Sequence, residues 1–160
     1  MMKAGRMREM IFLQLQQYNT TKRMLEEYET VTLRARPTEA FSGKGGHGDP
    51  TAADAIRLLE PGDDIRRMQG WVWAIEQAWD MLKRDAPLKA RLMEMLFSLG
   101  EEEAVGAAGS RREEFMDVLH ISEPTLYRWR EDIVHAVMAG AIEAGVLSPY
   151  GRTRAQRTGK

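Results

Sequence analysis

The most informative stretch of this 160-residue chain reads His120-Ile121-Ser122-Glu123-Pro124-Thr125-Leu126-Tyr127-Arg128-Trp129-Arg130. Ser122 is of a type that accepts hydrogen bonds from the first free N–H groups of a helix, and Pro124 suits a first helical turn. From Leu126 onwards, apolar residues recur at three- and four-residue spacing, which is typical of a helix packed on one side. The stretch therefore predicts a tight turn and then an amphipathic helix, which runs to Ala144 and is capped by Gly145.

A second, shorter helix is predicted immediately before the turn. Ser110 and Glu113 have the spacing of a capping box, in which each side chain satisfies one backbone N–H at the helix start. Phe115, Val118 and Leu119 then place apolar groups on one face. Two short helices joined by a tight turn match the helix-turn-helix pattern, whose second helix enters the major groove of DNA.

Two positions are unusual for that pattern. His120 stands where such turns usually carry glycine, because the backbone there often needs a positive φ. Histidine tolerates this backbone region better than most residues. Met116 stands where a small residue usually lets the two helices approach, and methionine is adaptable in shape.

The predicted second helix presents polar side chains opposite its apolar stripe, namely Glu123, Thr125, Tyr127, Arg128 and Glu131. Arg128 is the best candidate to read a base, because its guanidinium can bond guanine O6 and N7 together. Tyr127 and Thr125 are candidates to hold a phosphate or touch a thymine methyl, and Arg130 to contact backbone phosphate. The alternative is a plain helical hairpin whose polar face is only solvated.

The same segment carries a resemblance to a known family. Residues Ser122 to Ile133 resemble the C-terminal motif of ArpU/RinA-type phage transcriptional regulators, small proteins of Gram-positive phages that switch on late genes. Two further features are similar to that family: the run Gly45-Gly46-His47-Gly48-Asp49-Pro50-Thr51-Ala52 and the region from Tyr18 to Tyr28, which carries both Lys and Glu. The order and spacing of the three features cover most of the chain.

The resemblance implies an all-α helical bundle whose C-terminal helix-turn-helix is similar to the promoter-reading region of sigma factors. It implies a sequence-specific transcriptional regulator, an activator of phage late genes, with double-stranded promoter DNA as partner. The DNA-reading role carries over to Thr125, Tyr127, Arg128 and Arg130. RNA polymerase is a further candidate partner, contacted through the N-terminal helices.

Charge is distributed unevenly along the chain. The net charge is −1, so a DNA-binding surface must concentrate its positive charge locally. The last nine residues carry four bases and no acid. Arg152, Arg154 and Arg157 of this tail join Ser122 and the helix residues above as candidate DNA-binding residues. The alternative for the tail is a solubilising terminus.

Several function classes find no support in the composition. The chain has no cysteine, which excludes a disulfide framework and a thiolate metal site. No apolar run approaches the ~20 residues that cross a bilayer, and the start of the chain lacks the apolar core of a signal peptide. His47, His120 and His135 fall in different predicted elements, and no catalytic constellation is present. We therefore expect no enzyme, cofactor, metal or membrane partner, and a cytoplasmic location; the resemblance implies that this is the cytoplasm of a bacterial host.

The chain divides into four predicted parts: an N-terminal helical segment (1–36), a glycine-rich linker (37–48), a helical domain (49–147) that contains the helix-turn-helix at 110–144, and a basic tail (148–160). The first part has an apolar stripe of Ile11, Leu15, Tyr18, Leu25, Tyr28 and Thr32. Asn19-Thr20-Thr21 is its expected break, because these residue types prefer caps to helix interiors. Thirty helical residues would span about 45 Å, more than one small neighbour covers. We therefore expect self-association through the N-terminal helices; the alternative is a helix folded back on its own domain.

Within the helical domain, Asp49 is expected to cap a short helix and Asp63 or Asp64 a longer one. An apolar seam with coiled-coil-like spacing follows: Ile65, Met68, Val72, Ile75, Trp79 and Leu82. Trp71 and Trp73 widen it, and a partly exposed Trp73 would mark a partner surface. Pro87 opens the next helix, which is expected to brace the helix-turn-helix. Its predicted inward residues are Leu88, Leu92, Met95, Leu96 and Leu99.

Two other function classes remain open. A phage small terminase subunit also combines a helix-turn-helix with oligomerising helices, although its DNA motif usually comes first in the chain. A helical interaction module would contact RNA polymerase or another protein without touching DNA.

Overall fold

The computed structural model describes residues 4–35, 62–100 and 111–148 of the protein. Within these ranges the fold is all-helical and contains no strand, which confirms the predicted class. The helices are α1 (Ala4–Gln16), α2 (Tyr18–Ala35), α3 (Asp63–Asp85), α4 (Pro87–Phe97), α5 (Arg112–Leu119) and α6 (Glu123–Glu143). None of them is both long and apolar enough to cross a membrane. The predicted linker, the predicted helix after Asp49 and residues 149–160 of the predicted basic tail lie outside the described residues.

The N-terminal segment is a pair of helices. Four members of its predicted stripe are buried: Ile11, Leu15, Tyr18 and Leu25. The sequence predicted a break at residues 19–21, but the break falls at Gln17. Asn19 instead has a tertiary role, since its side chain donates to the Ser98 carbonyl at 2.7 Å and accepts from the Gly100 N–H at 3.3 Å. The first turn of α2 thereby fastens the end of α4.

α3 is the central helix, because α2, α4 and α6 all pack against it, α6 most extensively. Its buried residues are Trp71, Ala74, Ile75, Ala78 and Leu82. Of the predicted seam, Ile75 and Leu82 are buried, as expected. Because the buried face of α3 is rotated towards Trp71, Ala74 and Ala78, the other members are only half-buried: Ile65, Met68, Val72 and Trp79. Trp79 lies on the flank, where its indole N–H donates to Glu94 at 3.0 Å and its ring meets Tyr18 edge-on.

The predicted cap of α3 is wrong. Gly62 occupies the N-cap position, and among the described residues no side-chain capping hydrogen bond is present there. Asp63 and Asp64 lie in the first turn instead, where their charges complement the positive end of the helix dipole.

α4 begins at Pro87, as predicted, and ends before Ser98, which has a left-handed backbone. Of its predicted inward residues, Leu92 and Leu99 are buried and Met95 and Leu96 half-buried. Leu88 is exposed, so its predicted position is wrong. The buried face of this helix is centred on Ala90, Leu92 and Met93, which turns Leu88 outward. α4 contacts both α5 and α6, as expected for a bracing helix.

α6 is the longest apolar element of the C-terminal half, with 21 residues. Its predicted stripe is confirmed, with Leu126, Ile133, Val137 and Ala141 buried and Trp129 half-buried. Val134 is also buried, and Met138 and Ile142 are half-buried. Ala144 is the C-cap, and Gly145 follows with a φ of 77°. The end predicted from sequence is therefore correct to within one residue.

Candidate nucleic-acid interface

Three residues, His120 to Ser122, join α5 to α6. His120 has φ 53° and ψ 46°, which confirms the predicted positive φ, and its N–H donates to the Met116 carbonyl. The Ile121 N–H reaches the same carbonyl at 3.1 Å. Ser122 is extended and caps α6, since its Oγ accepts from the Thr125 N–H at 3.4 Å. The Ser122 cap confirms the prediction, and the two hydrogen bonds to the Met116 carbonyl are further local contacts that were not predicted from the sequence.

The start of α5 differs from the prediction. Arg111 occupies the N-cap position, without a capping side-chain bond, and its Nε pairs with Glu114 Oε2 at 3.1 Å. The predicted cap, Ser110, lies outside the described residues, one position before the observed N-cap. Phe115 and Leu119 are buried, whereas Val118 is exposed and its predicted inward position is wrong. A helix of eight residues buries only the ridge formed by positions four apart.

Three of the predicted site residues form one hydrogen-bonded group at the start of α6. Thr125 Oγ1 lies 2.9 Å from Ser122 Oγ and 3.4 Å from Arg128 Nη2. Arg128 is exposed, and within the described ranges it has no carboxylate partner. This surface, which we call the outward pole (Ser122, Thr125 and Arg128), therefore presents beside two hydroxyls a guanidinium that forms no ion pair with the described residues.

Tyr127 belongs to a different cluster, which links α5 to α6. Arg112 donates to the Tyr127 hydroxyl and pairs with Glu123 Oε1 at 3.0 Å. The Tyr127 hydroxyl in turn donates to Glu123 Oε1 at 3.3 Å. The charge of Arg112 is thereby matched by Glu123, and the phenol is held against α5 with 40% of the residue exposed. The sequence contained no signal for Arg112, which lies 15 residues before Tyr127.

Arg130 lies away from the outward pole, because residues two apart on a helix point to roughly opposite sides. It is half-buried, with its guanidinium carbon 5.1 Å from the ring centre of Phe12 in α1 and 5.8 Å from that of Tyr127. Its neighbour Glu131 pairs with Arg8, also in α1. Arg130 therefore faces α1, and its predicted contact with backbone phosphate stays a prediction.

The predicted site residues therefore separate into two groups. Ser122, Thr125 and Arg128 are together, while Tyr127 and Arg130 lie on the flank facing α5 and α1. Arg152, Arg154 and Arg157 are outside the described ranges. Among the residues that are described, no group of three or more His, Asp or Glu side chains could hold a metal ion. Comparison with family models, curated proteins and solved structures finds no match for this chain, so its function is inferred from its own sequence and geometry.

Proposed function

We propose that the protein is a sequence-specific DNA-binding transcriptional regulator in which α5, the turn and α6 act as a helix-turn-helix. The observation that carries the proposal is the outward pole. The left-handed backbone of His120 ends α5, and the Ser122 cap begins α6, so the chain changes direction between the two helices. Arg128, which forms no ion pair with the described residues, lies on the exposed side of the first turns of α6. Residues at the N-terminal end of the second helix are those that contact base edges in helix-turn-helix complexes.

The chemistry of the outward pole suits direct reading of bases. A guanidinium supplies two parallel donors for guanine O6 and N7, and a threonine offers a hydroxyl and a methyl for a neighbouring base. Thr125 lies within hydrogen-bond distance of Arg128. This hydrogen bond favours one orientation of the Arg128 side chain before DNA binds. Phosphate contacts would come from Arg152, Arg154 and Arg157 of the tail and from the flank of α6 that carries Arg130.

The finer assignment rests on the resemblance to ArpU/RinA-type regulators. It supports activation of phage late genes from a sigma-like helix-turn-helix, promoter DNA as partner, and contact of RNA polymerase by the N-terminal helices. It equally supports a location in the cytoplasm of the bacterial host. The proposal involves no catalysis and no cofactor.

The test is a salt-dependent DNA titration with duplexes selected from a randomised library and with a mixed-sequence duplex. Arg128→Ala is compared with Arg66→Ala, which removes an exposed arginine of α3. We expect Arg128→Ala to lose about 1–3 kcal/mol on the selected duplex and much less on the mixed one, and Arg66→Ala to match the wild type. Equal weak binding of the wild type to all duplexes, or no binding, would contradict the proposal.

A protein-interaction role is the second candidate, and a specific residue favours it. Trp73 is 38% exposed on the side of α3 opposite its buried face. Exposed tryptophans are enriched at the centres of protein interfaces. If DNA binding is absent while Trp73→Ala abolishes capture of purified RNA polymerase, this candidate replaces the first. A ring-sized oligomer by light scattering would instead favour a small terminase subunit.

A further inference from the structure

Two guanidinium groups, one from α1 and one from α6, lie beside the ring of Phe12 in α1. The guanidinium carbon of Arg8 lies 5.3 Å from the ring centre and that of Arg130 lies 5.1 Å from it. The ring itself is held against Phe97 of α4, with 5.9 Å between ring centres. Aromatic faces attract cations at these distances, so Phe12 keeps two positive charges of different helices close together.

The two charges are incompletely compensated. Arg8 pairs with Glu131, whereas Arg130 has no carboxylate partner in the described part of the chain. Two cations and one anion leave this cluster at +1. The next carboxylate along α6, Asp132, is already paired with Lys89 at 2.8 Å.

The hydrogen bonding of the cluster is also incomplete. Among the described residues, two buried side-chain polar atoms lack a partner, and they are the Nε atoms of Arg8 and Arg130. An unpaired buried donor is costly to a fold, and both such donors of this part of the chain lie around one ring. Because both Nε atoms are buried, an anion can meet only the outer part of the cluster, where the Arg8 side chain is 43% exposed and the excess positive charge suits an anion.

The cluster adjoins the outward pole through Glu131. Residues three apart on a helix are surface neighbours, so Glu131 lies beside Arg128, and Arg8 is bound to Glu131. When a recognition helix lies in the major groove, the phosphate rows run along its flanks. For DNA seated on the outward pole, we therefore expect one phosphate row on the flank of α6 that carries Glu131 and faces Arg8.

We infer that α1 is part of the DNA-contacting surface. Arg8 binds a backbone phosphate, and Arg130 and Phe12 position the Arg8 side chain. The inference rests on the proposed function and extends it from α6 to the N-terminal helix. Glu131 orients Arg8 in the free protein, and Arg8 turns from this carboxylate to the phosphate when DNA binds. The contact is independent of base sequence, because phosphates are common to all sites.

The experiment measures the salt dependence of binding to a mixed-sequence 30-base-pair duplex for the wild type, Arg8→Gln, Arg8→Lys and the remote control Arg66→Gln. Each phosphate contact contributes about 0.9 to the slope of log affinity against log salt. We expect Arg8→Gln to lower the slope by about 0.9, Arg8→Lys to retain it and Arg66→Gln to leave it unchanged. Thermal unfolding monitored by circular dichroism verifies that all four proteins are folded.

The outcomes separate this inference from the proposed function. If the wild type binds and Arg128→Ala loses its preference for the selected duplex, but Arg8→Gln keeps the slope of the Arg66→Gln control, α1 is not in the interface and the regulator proposal stands. If the wild type binds no duplex in a salt-dependent manner, both are overturned. A slope that falls in Arg8→Gln and is retained in Arg8→Lys supports the phosphate contact.

Discussion

Gly140 of α6 lies directly against the backbone of Ala74 in α3. A Cβ added to Gly140 would stand 3.0 Å from the Ala74 carbonyl oxygen and 3.3 Å from its Cβ. The crossing of the two most extensively packed helices therefore depends on the absence of a side chain at this position.

The first prediction concerns this contact. Gly140→Ala gains up to about 1 kcal/mol of helix propensity but forces backbone apart, which costs about 1–3 kcal/mol, so we expect a lower melting temperature. Gly5→Ala is the matched control, because a Cβ there meets nothing within 4 Å, and it is expected to be neutral or stabilising. A Gly140→Ala melting temperature at or above that of the wild type would contradict this account of the crossing.

The turn supplies a second prediction. His120 has a left-handed backbone, which β-branched residues adopt at a cost of about 1–3 kcal/mol and glycine adopts freely. We expect His120→Val to lower the unfolding free energy by that order and His120→Gly to match or exceed the wild type. Chemical denaturation measures both. Equal stability of the two variants would show that the turn rearranges.

The third prediction is a pH dependence that arises from Tyr18, Lys22 and Glu76. Burial and a 2.8 Å hydrogen bond to Glu76 raise the pKa of Tyr18, and the hydrogen bond to the same carboxylate raises the pKa of Lys22. Both groups hold their protons more tightly in the folded protein. Their contribution to the free energy of unfolding is therefore complete below their pKa values in the unfolded chain, near pH 10. It is lost as the pH rises through the folded values. Melting temperatures between pH 8 and 11 should therefore fall less steeply for Tyr18→Phe than for the wild type.

Its control is Tyr28→Phe, which alters a half-buried tyrosine of the same helix. We expect that variant to keep the wild-type pH profile. A Tyr18→Phe profile as steep as that of the wild type would show that the network does not govern alkaline stability.

The fourth prediction concerns the carboxylate beside Arg128. Glu131→Gln removes a negative charge next to the proposed path of the phosphates and releases Arg8. We expect several-fold tighter binding to both selected and mixed duplexes at low salt, with the gain shrinking as salt rises, because screening weakens exposed charges. Glu27→Gln, an exposed position of α2, controls for net charge. If both variants gain equally, the effect is one of overall charge and not of position.

The fifth prediction tests self-association through the N-terminal helices. Met24, Val31 and Leu33 are large apolar residues of α2 that are exposed. If a second copy covers α2, Val31→Lys should shift sedimentation from dimer towards monomer, while Leu13→Lys, an exposed change in α1, should not. A wild type that sediments as a monomer at all concentrations would contradict self-association.

Local patterns predicted the C-terminal helix well, for reasons visible in its residues. The Ser122 cap, the positive φ of His120 and the end near Gly145 each depend on a few neighbouring positions. The stripe that begins at Leu126 is buried because one long helix presents one face to the core. Such features need no knowledge of the partner helix.

Features that depend on distant residues were not predictable in this way. Leu88 and Val118 are apolar but exposed, because their short helices bury only part of an apolar stripe. Trp71 and Trp79 both fit an inward position on α3, and only the placement of α2, α4 and α6 makes Trp71 the buried one. The contact of Arg130 with Phe12 joins helices far apart in the sequence, and that of Arg112 with Tyr127 depends on how the turn places α5 against α6.

The packing of α1 bears on how the protein can be dissected. Ile11 and Leu15 are fully buried in the same cluster as Ile133 of α6, and Asn19 fastens the end of α4. A fragment that begins at Asp63 would lose these contacts and expose the apolar residues beneath them. The smallest fragment that keeps the packing of α6 therefore begins at α1. Removal of α1 by a protease would disturb the outward pole, although that surface lies more than 100 residues later in the sequence.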